Sequence, residues 1–78
     1  MKSPNISEDY IIQKRLDIGK KLKEIRESRG LTMDQLGEKL DIGRATVSKI
    51  EAGKWNFGID TLSVFSIVLE FDINIVLK

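Results

Sequence analysis

The sequence has no cysteine and no histidine, a single proline (Pro4), and only five aromatic residues among its 78 positions. Without thiols there are no disulfide staples, and without Cys or His there is no conventional zinc site. Thiol and imidazole catalysis and an imidazole pH switch are excluded on the same ground. No apolar run is long enough to span a bilayer and no signal-peptide pattern is present, so the expectation is a cytoplasmic, nucleoid-associated bacterial protein with no membrane partner. Acidic residues occur, but no nucleophile–base pair, metal cluster or glycine-rich phosphate loop accompanies them. The chain is therefore expected not to be an enzyme and to need no cofactor and no metal.

What the chain does have is a hydrophobic content of 41% and nearly balanced charge, with 13 basic and 12 acidic residues. That is enough apolar material for one small domain and too much for a disordered tail. A core of this size is marginal alone, since ordering costs about 1.5 kcal/mol per residue and nearly cancels burial at about 25 cal/mol per Å². Oligomerisation is the remaining source of stability. The charges are unevenly spread: residues 1–54 carry twelve basic and nine acidic side chains, and residues 55–78 carry one and three. Either the first part favours phosphate, or these are simply solvated surfaces.

Residues 1–6 show no apolar period and read as an arm. Ser7, followed by Glu8 and Asp9, suits a helix N-cap with acids in the first turn. Ile11, Ile18, Leu22 and Ile25 then recur on one helical face, with Gly19 marking either a bend or the true start. Gly30 suits the left-handed residue after the helix end. Thr32-Met33-Asp34-Gln35 fits a capping box with Leu31 ahead of it. Leu36 and Leu40 face inward from about two turns of helix; Asp41-Ile42-Gly43 interrupts the period, and Val47 and Ile50 resume it until Gly53. After a loop over residues 54–57, a last helix runs from about Gly58 to about Glu70.

That last helix is apolar almost all round, through Leu62, Val64, Phe65, Ile67, Val68 and Leu69, which predicts burial on more than one face; a four-helix domain of this size can cover only one, so something else must cover the rest. Phe71, Ile73, Ile75 and Leu77 then alternate with Asp72, Asn74, Val76 and Lys78, the period of a strand. No second strand-like run is present to pair with it. The segment is therefore expected to pair with its copy in a second molecule, as a ribbon across a twofold axis, with Val64 and Val68 completing the dimer interface. The alternative is a short fifth helix or a frayed tail.

The two short helices between Leu31 and Ala52 are the informative part. Gly37 suits their closest approach, and Asp41 suits a left-handed turn position. The outward positions of the second helix are Arg44, Ala45, Thr46, Ser48 and Lys49: a guanidinium, an ammonium, two hydroxyls and a methyl, a set suited to reading base edges.

This segment, together with Ile18-Gly19-Lys20-Lys21-Leu22-Lys23-Glu24-Ile25-Arg26 upstream, resembles the helix-turn-helix of the phage-repressor/Cro (XRE) family. Gly37 stands where Ala is usual in that family, Asp41 where Gly is usual, and Met33 where Gln is frequent. The C-terminal half resembles the narrower HipB-like group of antitoxins and small repressors. The resemblance implies an all-α, lambda-repressor-like fold of four to five helices with one C-terminal β-strand forming an intersubunit ribbon. Its parts would be residues 1–17 as an extension and start of helix one, 18–70 as the DNA-binding domain, and 71–78 as the dimerisation strand.

The same resemblance implies a homodimeric repressor that binds double-stranded DNA at a palindromic operator, or an antitoxin that also binds a toxin protein. Arg44, Ala45, Ser48 and Lys49 would read bases, Thr46 with them less firmly. Thr32, Gln35, Lys54 and Asn56 would contact phosphate through side chains, and the position of Met33 through backbone amides. Arg26 and Glu51 would form a buried structural ion pair. Trp55 would either stack on the DNA backbone or cover the core edge. Lys14, Arg15, Lys20, Lys21 and Lys23 would form a solvated face.

Overall fold

In a computed structural model, which describes residues 7–76, the chain folds into four helices: α1 (Glu8–Ser28), α2 (Met33–Leu40), α3 (Arg44–Glu51) and α4 (Ile59–Leu69). None of them is long and apolar enough to cross a membrane. Each boundary has a local chemical cause. The Ser7 hydroxyl accepts from the Asp9 amide, and Glu8 and Asp9 sit at the positive end of the helix dipole. At the other end Gly30 adopts φ 71°, closing α1 with the left-handed turn a glycine accommodates without strain. The Thr32–Gln35 capping box is formed in both directions: Gln35 N–H donates to Thr32 Oγ1 at 3.1 Å, and Thr32 N–H donates to Gln35 Oε1 at 2.9 Å.

The core draws on all four helices: Leu22 from α1, Leu36 from α2, Val47 and Ile50 from α3, and Phe65 and Leu69 from α4. Helices α1 and α2 both pack on α3, and α2 also packs on α4. Each fully buried aliphatic side chain contributes roughly 1.5–3 kcal/mol. The inward positions expected at Leu36, Val47 and Ile50 are therefore the centre of the fold.

Helix α1 is continuous through Gly19, which therefore does not start it. The glycine is required by a neighbour. A Cβ at position 19 would lie 2.6 Å from the carbonyl oxygens of both Ile50 and Glu51, so α1 rests directly on the backbone at the end of α3. Gly53, at φ 73°, makes the matching approach to the backbone of Leu16.

Within the single chain, three apolar segments are less covered than their sequence pattern suggests. The apolar face of α1 is covered only in its second half: Leu22 is buried, whereas Ile11 and Ile18 are exposed. The helix is about 32 Å long at 1.5 Å per residue. With Ile12, Phe57, Ile59 and Leu62, these isoleucines line an open groove of about 680 Å³. Secondly, α4 is buried on one side only, by Phe65 and Leu69, while Val64 and Ile67 (76% exposed) point outward. Thirdly, no strand is present among the described residues: Phe71 to Val76 have no regular secondary structure, and Leu77 lies outside the described residues. A strand exists through its ladder partner, and one chain supplies none. Phe71 is half-buried against the core, whereas Ile73, Ile75 (93% exposed) and Val76 project into solvent.

The end of α4 shows a contact that periodicity does not reveal. Glu70 adopts the left-handed conformation at φ 59°, and the Phe71 amide returns to the Ser66 carbonyl at 3.0 Å. Arg29, at the end of α1, donates from Nε to the Leu69 carbonyl at 2.8 Å and from Nη2 to the Glu70 carbonyl at 2.9 Å. A cation thus caps the negative end of α4 and ties it to α1.

Candidate nucleic-acid interface

The turn between α2 and α3 is built by two backbone conditions. Asp41 takes φ 57° and ψ 43°, the left-handed conformation that Asp tolerates better than most residues, and the Ile42 amide donates to the Gly37 carbonyl at 2.9 Å. A Cβ on Gly37 would lie 2.8 Å from the Ile42 carbonyl oxygen. The close approach expected at Gly37 is thus made to the turn. Helix α3 is eight residues long, about 12 Å, and an α-helix with its side chains is about 10–12 Å across, a cross-section that a B-DNA major groove about 12 Å wide admits.

Val47 and Ile50 anchor the inner face of α3, which forces the other positions outward. Arg44, Ala45, Ser48 and Lys49 are exposed together, and Thr46 is half-buried. The expected reading set is therefore brought onto one helix, with Thr46 set deepest. Arg44 Nε lies 3.9 Å from Asp34 Oδ1 on α2, and both side chains are well exposed. Such a pair is worth little in water and releases readily to a better partner.

The expected phosphate set occupies the two ends of the motif. Thr32 and Gln35 are exposed at the start of α2 and engaged in the capping box; this fixes Gln35 Oε1 and leaves its amide NH₂ as the donor end. Met33 is half-buried against the core, so its side chain has a packing role and only its backbone amide is available at the helix end. Lys54 is exposed after α3, its own amide donating to the Lys49 carbonyl at 2.9 Å. Asn56 is exposed on the wall of the groove beside α1.

Arg26 and Glu51 meet as expected, both buried. Arg26 Nε donates to Glu51 Oε2 at 2.7 Å and Nη2 to Oε1 at 3.1 Å, and Nη1 reaches the Leu31 carbonyl at 2.7 Å. One guanidinium therefore joins α1, the start of the α2 cap and the end of α3. The hydrogen bonds that Arg26 donates to Glu51 hold the guanidinium above its ordinary pKa, against the opposing effect of burial. A cation raised in this way contributes its full stabilisation below the ordinary arginine range and loses it only above the raised value. The lock is thus intact across neutral pH.

Trp55 lies in the loop after α3, beside the last turn of that helix. It is 40% exposed, and its ring lies 5.8 Å from Lys49 Nζ, within cation–π range. Lys14 makes a similar contact with Tyr10 at 5.2 Å, and Lys20, Lys21 and Lys23 are exposed along α1.

Comparison with known proteins decides the family. The helix-turn-helix family model, of the XRE type, matches residues 22–75, well over half of the chain. The chain belongs to this helix-turn-helix family. It is also 49% identical over 35 residues to a protein of Methanospirillum hungatei provisionally named as an HTH-type transcriptional regulatory protein. That match covers 45% of this helix-turn-helix chain and 11% of the relative's length. The boundaries of the family match enclose the last third of α1, both motif helices, α4 and the segment after it. Two structural contributors were not visible as motifs: Arg29, whose partners are carbonyls 40 residues away, and Trp55, whose role depends on which way the loop carries its ring.

Proposed function

We propose that this protein is a sequence-specific DNA-binding transcriptional regulator, acting as a homodimeric repressor on a palindromic operator. The observation that carries the reading is the outward face of α3. Arg44, Ala45, Ser48 and Lys49 are exposed together on a helix whose opposite side is locked into the core. In this reading Arg44 and Lys49 donate to guanine O6 and N7, Ala45 meets a thymine methyl, and Ser48 and Thr46 bond base edges. Thr32, the Met33 amide, Gln35, Lys54 and Asn56 hold phosphates and set register without reading sequence. No catalytic step is part of this function.

Selection from a random duplex pool should enrich one sequence. Arg44→Ala should then lower affinity for the enriched duplex about tenfold while barely changing affinity for random duplex, measured by fluorescence anisotropy at fixed salt. Equal losses on both duplexes would reassign Arg44 to phosphate.

The dimer part of the reading rests on the exposed apolar residues Val64, Ile67, Ile73, Ile75 and Val76, with Val68 and Phe71 half-buried beside them. In a twofold assembly the tails of two chains pair as antiparallel strands, each supplying the ladder the other lacks, with Leu77 continuing the alternation. Two recognition helices then reach successive major grooves about 34 Å apart. Deleting residues 72–78 should convert the dimer to a monomer by light scattering; an unchanged dimer mass would remove the ribbon from the reading.

The alternative, a HipB-like antitoxin that also binds a toxin protein, draws on the open apolar groove between α1 and residues 56–62, which contains none of the base-reading residues. The product of the adjacent gene separates the two readings: a toxin that co-purifies with this chain favours the second.

A further inference from the structure

We propose that Trp55 is a positioning residue for Lys49, its ring holding the ammonium in place on the reading face before a duplex arrives. This rests on the reading of α3 as the recognition helix and adds to it a residue outside that helix. Lys49 Nζ lies 5.8 Å from the centre of the Trp55 ring, and both side chains are exposed. Trp55 is 40% exposed, so part of its ring remains open to solvent beside the cation.

The loop gives that placement a fixed geometry. The Lys54 amide donates to the carbonyl of Lys49 itself at 2.9 Å, and the Gly53 amide donates to Ile50 at 3.1 Å. Gly53 is in turn seated against the backbone of Leu16. The backbone that carries the ring is thus tied to the residue whose side chain the ring holds. A free lysine side chain loses much rotamer freedom when it engages a base edge, and a lysine already held over an aromatic face loses less. The ring face leaves the ammonium with donors still free, so the cation can turn toward acceptors such as guanine O6 and N7.

The test is a double-mutant cycle of wild type, Lys49→Ala, Trp55→Ala and the double variant, with Trp55→Phe added. Binding is measured by anisotropy on the duplex enriched from a random pool and on the same duplex changed at the base pair Lys49 reads. Lys49→Ala should lose about tenfold on the enriched duplex and become indifferent to the base change. Trp55→Ala should lose about three- to fivefold, with reduced discrimination at that same base pair, and Trp55→Phe should keep most of the affinity. The double variant should match Lys49→Ala within about twofold.

Losses that add fully, or a Trp55→Ala loss equal on both duplexes, would mean that the ring touches DNA independently and would overturn the proposal; so would no loss at all. A readout without DNA guards against misfolding. The Lys49 side-chain methylene protons should be shifted upfield by the ring in the free protein and return to ordinary values in Trp55→Ala, with circular dichroism unchanged. If the wild type enriches no duplex, the DNA-reading function itself fails, and this proposal with it. If it enriches one and the cycle is additive, only the role of Trp55 fails.

Discussion

Glu51→Ala should lower the unfolding free energy by about 3–5 kcal/mol, the largest loss expected from any single polar substitution in this protein. Domains of this length hold roughly 4–12 kcal/mol in total, at about 0.05–0.15 kcal/mol per residue, so the variant should be largely unfolded by modest urea. The cause is the charge left behind. Arg26 is buried, and its Nε and Nη2 both donate to Glu51. Removing the carboxylate strands a guanidinium that neutral pH cannot discharge, and Nη1 retains only the Leu31 carbonyl. Replacing both partners with apolar residues, Arg26→Met with Glu51→Leu, should recover most of the loss, because no uncompensated charge then remains. Urea titration followed by circular dichroism gives both values. A cost below about 1 kcal/mol for Glu51→Ala would show that water reaches the pair and that it is not a closed lock.

The second large effect has the opposite sign from the usual rule. Alanine in place of glycine inside a helix ordinarily stabilises it by about 1 kcal/mol. Gly19→Ala should instead destabilise this protein by about 1–2 kcal/mol, because the added methyl would sit 2.6 Å from the carbonyl oxygens of Ile50 and Glu51. Those atoms are backbone at the end of α3, so relief requires one helix to move away from the other, at an overpacking cost of about 1–3 kcal/mol beyond the propensity gain. Lys20→Ala, one position along and exposed, should change stability by only a few tenths of a kcal/mol. A stabilised Gly19→Ala would mean that α1 and α3 are further apart than these distances. The two predictions are linked in space, since Arg26 and Gly19 both lie on the face of α1 that meets α3.

Much of the DNA-binding unit is legible in the amino-acid order because its signals are local. The Thr32–Gln35 capping box, the left-handed Asp41, the stops at Gly30 and Gly53, and the inward Leu36, Val47 and Ile50 each follow from bonds or periods spanning a few residues. The outward set Arg44, Ala45, Ser48 and Lys49 follows from the same period, as the complement of the buried positions. The Arg26–Glu51 pair spans 25 residues, and its recognition came through family resemblance.

Other features depend on distances between elements, which no local period encodes. The stripe Ile11, Ile18, Leu22, Ile25 is uniform in sequence, yet Leu22 is buried and Ile25 half-buried while Ile11 and Ile18 are exposed. Gly19 reads as a weak point and proves to be a contact with the α3 backbone. Arg29 gains its role only when the ends of α1 and α4 come together, and Trp55 only when the loop turns its ring beneath Lys49. The alternation after Phe71 is plain in the sequence, but a strand requires a partner strand, and none is present among the described residues of one chain. The sequence by itself therefore determined the helices, the side-chain caps of α1 and α2 and the chemistry of the outward face of α3, since those are set by hydrogen bonds and periods within a turn or two. Tertiary structure decided which apolar surface is core, which glycine is indispensable and which cations are held, since those depend on atoms brought together from distant parts of the chain.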